Sequence, residues 1–169
     1  VQLQWLIREL AGMTGVHYIR TTRKDIAPIY EPGSTFEIGK GNILQEGSDV
    51  LLISMGSTLA DTLKAAEQLE AEGISVEVID MFTIKPLDRD LIIREAAGKK
   101  LIVTVENHSV IGGLGSCVAE VLAELPAHAP LKRVGVNDEF GQVGPMSYLK
   151  KVFHLTAEDV VATVREGLK

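Results

Sequence analysis

At 169 residues, 46% hydrophobic and 24% charged, the chain has the make-up of one well-buried globular domain with room for a piece of another. A net charge of −6, with no long cluster of Lys and Arg, excludes a nucleic-acid groove, and no apolar run approaches the roughly 20 residues that span a bilayer. The single cysteine, Cys117, excludes an internal disulfide and fits a reducing, cytoplasmic setting.

The chain opens on Val1 rather than Met, already inside a helical pattern, and so reads as a fragment in which missing targeting signals carry no meaning. Residues 2–11 place Leu3, Leu6, Ile7 and Leu10 on one helical face, and Gly12 is a stop. Residues 16–20 read as a short strand. Residues 21–35 mix Pro, Gly, Thr and charge without period, which is linker composition, and a domain boundary is expected there. A short strand is expected around 42–44 and a fully buried one at 50–54. Thr58 and Asp61 have the spacing of a capping box opening a helix that runs to about residue 72. A strand at 75–80 follows, then a helix capped by Asp88 and ended by Gly98.

Residues 101–105 form an apolar run with no polar alternation, the pattern of a strand covered on both faces. A polar break at 106–109 leads to Gly112, Gly113 and Gly115. From Leu114 the apolar positions 114, 118, 121, 122 and 125 share a helix face. A half-polar strand at 131–136, an irregular segment at 137–145 and a helix capped by Thr156 and Asp159 close the chain. Strand alternating with helix predicts right-handed crossovers and a three-layer α/β/α sandwich. In such sheets ligands sit at the carboxyl ends of the strands, where residues 106–115 and 137–145 fall.

The turn at 112–115 lacks the spacing of a dinucleotide fingerprint and the Lys-Ser/Thr of a P-loop. Its glycines either aim backbone N–H groups at an anion or let the helix pack close to the sheet. His108 beside Glu106 invites an acid–base reading, against which stands a solvated or interface histidine with no Ser or Cys nucleophile near it in sequence. His17, His128 and His154 have no metal-ligand spacing with one another or with Cys117, which reads as inert core. Arg20, Arg23 and Lys24 form a small basic group, either a solvated linker or an anion-capturing site.

Several phrases together resemble transketolase: Tyr18-Ile19-Arg20-Thr21-Thr22-Arg23, Ile38-Gly39-Lys40-Gly41, and Met81-Phe82-Thr83-Ile84-Lys85-Pro86-Leu87-Asp88. Val105-Glu106-Asn107-His108-Ser109 with Gly112-Gly113-Leu114-Gly115 completes the pattern. The order and spacing hold over nearly the whole chain, and the similarity is to the C-terminal part of transketolase, especially the smaller subunit of split forms. That resemblance implies that residues 1–20 are the tail of the pyrimidine-binding domain, 21–35 a linker, and 36–169 the C-terminal domain. It implies a five-stranded sheet in order 1-3-2-4-5 with the first strand antiparallel.

The implied activity is transfer of a two-carbon ketol unit between sugar phosphates, with thiamine diphosphate and Mg²⁺ in the full enzyme. The family's cofactor-activating glutamate, the aromatic cradle and the diphosphate–metal motif would all lie outside this chain. An N-terminal portion or subunit is the implied partner, a homo-oligomer the implied assembly, and the section by itself is expected to be inactive and to bind no cofactor. Arg23 alone matches a substrate-touching position, the arginine that takes the sugar phosphate. His108, Gly112, Gly113 and Gly115 are an expected interface or anion loop. Related thiamine enzymes, the 2-oxoacid dehydrogenase β-subunit and deoxyxylulose-phosphate synthase, share the domain. A non-catalytic assembly or regulatory module is the remaining alternative.

Overall fold

The computed structural model describes residues 1–23 and 26–169, so Lys24 of the basic group lies outside the described residues. Five strands make one sheet: β1 (Asn42–Gln45), β2 (Val50–Ser54), β3 (Val76–Asp80), β4 (Leu101–Ser109) and β5 (Leu131–Val136). Their order is β1-β3-β2-β4-β5; β1 runs antiparallel to β3 and the remaining pairs are parallel. Both the sandwich and the 1-3-2-4-5 order are therefore as the resemblance implied.

Burial explains why the central strands lack polar alternation. Every residue of β2 and β3, and Leu101 to Glu106 of β4, is buried. On one face Val50, Leu52, Val76, Val78, Leu101 and Val103 pack with α2 (Leu59–Ala71) and α6 (Ala157–Gly167). On the other, Leu51, Ile53, Ile79 and Ile102 pack with α3 (Arg89–Ala96) and α4 (Leu114–Ala123). A strand with helices on both sides has no solvent face to mark. Three carboxylates, Glu77, Asp80 and Glu106, are buried in these strands; that of Glu77 meets Lys99 Nζ at 2.5 Å, with both side chains buried.

Two caps follow the sequence. Asp88 accepts from the Leu91 amide at 3.1 Å, and Thr156 and Asp159 form a reciprocal capping box on α6. Thr58 does not. A turn of 3₁₀ helix at Gly56–Thr58 precedes α2, and the Thr58 hydroxyl lies 2.8 Å from the Met55 carbonyl and 3.0 Å from Ser54 Oγ. Buried between β2 and β4, that hydroxyl is drawn into a core network with Ser54 and Thr62, so no side-chain cap forms.

Three further segments differ from the sequence reading. Residues 16–20 are not a strand: they pair with no sheet, and Val16 and Tyr18 stand 102% and 87% exposed. An extended stretch with no neighbouring edge has nothing to form a ladder with. The polar residues 106–109 do not break β4; the strand runs on through them to Ser109, with an irregular register against β5 between Val105 and Ser109. A short helix, α5 (Met146–Val152), follows the irregular segment, its pattern too brief to read from periodicity.

The opening helix, α1 (Gln2–Ala11), holds no buried residue. It rests on the domain through Trp5, whose ring centroid is 5.5 Å from that of Phe36 and 6.2 Å from Phe82, while Leu3 and Ile7 face outward.

Candidate functional site at the carboxyl edge of the sheet

The carboxyl ends of β4 and β5 gather the sequence-selected residues 106–115 and 137–145 on one rim. Val110 N donates to the Val136 carbonyl at 3.0 Å, and Arg133 donates to the Val110 carbonyl at 2.9 Å, tying the two loops together. The segment from residue 16 reaches the same rim. Arg20 donates through its guanidinium to the Asn107 carbonyl at 2.9 Å, and the Asn107 amide donates to Ser57 Oγ at 2.7 Å. Arg23 lies three residues on, exposed, in a bend of the chain.

Glu106 is the residue whose role the sequence concealed. Its carboxylate is 1% exposed and accepts from the backbone amides of Leu114 at 2.7 Å and Gly115 at 2.8 Å. A negative group at a helix N-terminus meets both the unpaired amides and the positive end of the macrodipole. The glycines make room for it. A Cβ on Gly113 would stand 2.0 Å from Glu106 Oε2, and one on Gly115 would stand 2.7 Å from Arg133 Cδ and 2.8 Å from Thr104 Oγ1. Gly112 sits at φ +76 with its amide donating to Ser116 Oγ at 2.9 Å. The two α4 amides that an external anion would use are thus occupied by the protein's own carboxylate.

His108 and Glu106 are sequence neighbours at i and i+2, but only the glutamate is buried. His108 is exposed, with Nδ1 donating to the Ser109 carbonyl at 2.8 Å. Ile111, beside it, is 62% exposed, and Phe140 and Val143 on the neighbouring loop are 98% and 101% exposed. Cys117 is half-buried on α4, and burial pushes its thiol up, away from the reactive thiolate.

The described residues contain no group of three or more His, Cys, Asp or Glu placed to hold a metal ion. With the α4 amides filled by Glu106, the residues at this rim do not make a diphosphate–metal cradle, and no step through thiamine diphosphate is assigned to them.

The family described as "Transketolase, C-terminal domain" matches residues 39–160. The chain belongs to the transketolase C-terminal-domain family. A solved structure described as "Split gene transketolase, inactive beta4 tetramer" superposes with a TM-score of 0.93 at 44% identity, covering 99% of this chain and 55% of that one. The "6-deoxy-6-sulfo-D-fructose transketolase subunit" of Clostridium sp. (strain MSTE9) is 42% identical over 165 residues, 98% of this chain and 51% of that protein. The "1-deoxy-D-xylulose-5-phosphate synthase" of Heliobacterium modesticaldum is 38% identical over 168 residues, 98% of this chain and 26% of that protein. This transketolase-family chain therefore spans about half, or a quarter, of the length of the curated relatives it matches. The rim just described is, within the family domain, the carboxyl edge of its β4 and β5.

Proposed function

We propose that the chain is the C-terminal section of a transketolase, acting with an N-terminal portion or subunit to move two-carbon ketol units between sugar phosphates. The similarity of almost the entire chain to a split-gene transketolase, at 44% identity, carries this reading. In it, residues 1–20 complete the pyrimidine-binding domain of the partner portion. The outward apolar residues of α1 and the exposed Val16 and Tyr18, in a stretch that pairs with no strand, support that role, since both are built as surfaces to be covered. Thiamine diphosphate, which supplies carbanion stabilisation when bound, and its Mg²⁺ belong to the partner portion. The assembly is a cytoplasmic homo-oligomer of such pairs.

Arg23 binds the phosphate of the sugar, because a planar guanidinium pairs two phosphate oxygens at once. The loop with His108, Gly112, Gly113 and Gly115 serves as an interface; its exposed Ile111 supports that, and the internal use of the α4 amides argues against anion capture there. In the reassembled enzyme, His108→Ala should lower turnover less than tenfold, well short of the roughly 10²–10⁴-fold cost of removing a general acid or base. A loss inside that larger range would place His108 in the chemistry.

The direct test is reconstitution. Alone, the chain should show no ketol transfer, and its melting temperature should not rise in saturating thiamine diphosphate and Mg²⁺, because a ligand that binds the native state raises it. Mixed with the N-terminal portion of a split transketolase, it should transfer a ketol unit from a phosphorylated ketose to a phosphorylated aldose. Condensation of pyruvate with an aldose phosphate in that mixture would instead assign the chain to the deoxyxylulose-phosphate synthase branch.

A further inference from the structure

At the carboxyl end of β3, Asp80 is 0% exposed, yet among the described residues no cation stands beside it. Its Oδ2 accepts from Gln2 Nε2 at 2.7 Å and from the Tyr30 hydroxyl at 2.6 Å, and its Oδ1 has no partner. The three residues come from three parts of the chain: Gln2 from α1, Tyr30 from the segment after it, and Asp80 from the central sheet. The bonds to Asp80 join both α1 and Tyr30 to the central strand β3. Around them the rings of Trp5, Tyr30, Phe36 and Phe82 close an apolar cover, with the Tyr30 and Phe36 centroids 4.7 Å apart and edge-on.

We propose that Asp80 is a proton-controlled latch, which seats α1 and the Tyr30 segment firmly when its carboxyl is protonated and loosens them when it ionises.

Among the described residues the neighbours leave the charge uncompensated. Tyr30 is the ionisable side chain in contact with Asp80; α1 offers the neutral Gln2, β1 places Asn42 opposite in the register, and β2 places Ser54 there. Arg8 and Glu9 of α1, and Glu31 and Glu37 on the following segment, are exposed. Two hydrogen bonds favour the carboxylate, but a buried charge with one oxygen unpaired loses more solvation than they return. Burial accordingly pushes the Asp80 carboxyl up from its ordinary range, and burial together with the Asp80 charge pushes the Tyr30 phenol up.

The sign follows from linkage. A carboxyl that titrates higher when docked than when free favours docking fully at pH below its free value. That advantage is lost as pH rises through the docked value, by tenfold in the docking equilibrium for each pH unit between the two midpoints. Because α1 is also the surface proposed above for the partner portion, the latch would set how firmly that surface is presented. The inference itself does not depend on the transketolase reading.

Trp5 is the single tryptophan of the chain, and its emission reports whether α1 is seated against Phe36 and Phe82. Titrating the 169-residue chain should shift Trp5 emission to the red as pH rises from the free carboxylate range, with faster amide exchange in α1 than the intrinsic pH dependence and none added in β4. Asp80→Asn keeps an oxygen for both donors and carries no charge, so its Trp5 signal should stay flat over the same range. The Asp80 carboxyl carbon resonance of the wild-type chain should titrate above about 3.9, and higher still in Tyr30→Phe, which removes a donor to the charged form. A wild-type midpoint at or below that value, or the same Trp5 transition in Asp80→Asn, would overturn the latch.

Discussion

Replacing Arg23 by Ala in the reassembled enzyme is expected to reduce kcat/KM for phosphorylated sugars about 10–150-fold, the equivalent of roughly 1.5–3 kcal/mol for a hydrogen bond to a charged group. The loss should fall mainly on KM. Phosphate is a handle remote from the reacting carbons, so it contributes similar binding in the ground state and the transition state. Arg23 is exposed and lies three residues past Arg20, which the Asn107 carbonyl holds at the rim of β4. An exposed guanidinium on an anchored segment is open to a ligand from solvent. Arg23→Lys should recover only part of the loss, since an ammonium keeps the charge without the fork. A non-phosphorylated acceptor should feel little of either change. Equal losses for both acceptor classes would make Arg23 a structural residue and withdraw the phosphate assignment.

The largest stability effect is expected at Glu106. Glu106→Ala removes the acceptor of two buried amides at the start of α4 and the negative charge that faces the helix dipole. Each buried group left unpaired costs about 1–3 kcal/mol, so a loss of about 3 kcal/mol is a conservative expectation. For a chain of this size that lowers Tm by roughly 6–12 °C, read by calorimetry or by the denaturant midpoint. Gly113→Ala should be destabilising for the same reason, because its Cβ would displace Glu106 Oε2 from the position it needs. A change below about 1 kcal/mol in Glu106→Ala would mean that water replaces the carboxylate at those amides, and that the loop has room for an external anion after all.

Much of the fold was legible because local chemistry and burial agreed. The run Val50–Ser54 is fully buried between helices, and its lack of polar alternation is the direct mark of that burial. Thr156 and Asp159 cap α6 with atoms three residues apart, so the cap is a property of that short stretch. The family phrases likewise sit in the sequence itself, and from them came the 1-3-2-4-5 order that periodicity alone does not specify.

What sequence could not decide were contacts between distant segments. Thr58 has the spacing of a cap, but β4 lies over it, and its hydroxyl joins a core network instead. Glu106 and His108 look like a pair, yet the return of α4 onto β4 takes the glutamate as a helix acceptor and leaves the histidine in solvent. Asp80 ends a β-branched strand with no mark of its own; only the folding of residues 2 and 30 back onto it turns it into a buried carboxyl held by two neutral donors. Residues 16–20 have strand composition, but a strand exists only where another edge lies beside it. Propensity, patterning and caps act over a few residues and are written in the chain. The partner of a buried polar group, or of an unpaired backbone, is settled by whichever segment packs against it, and that is a property of the tertiary structure.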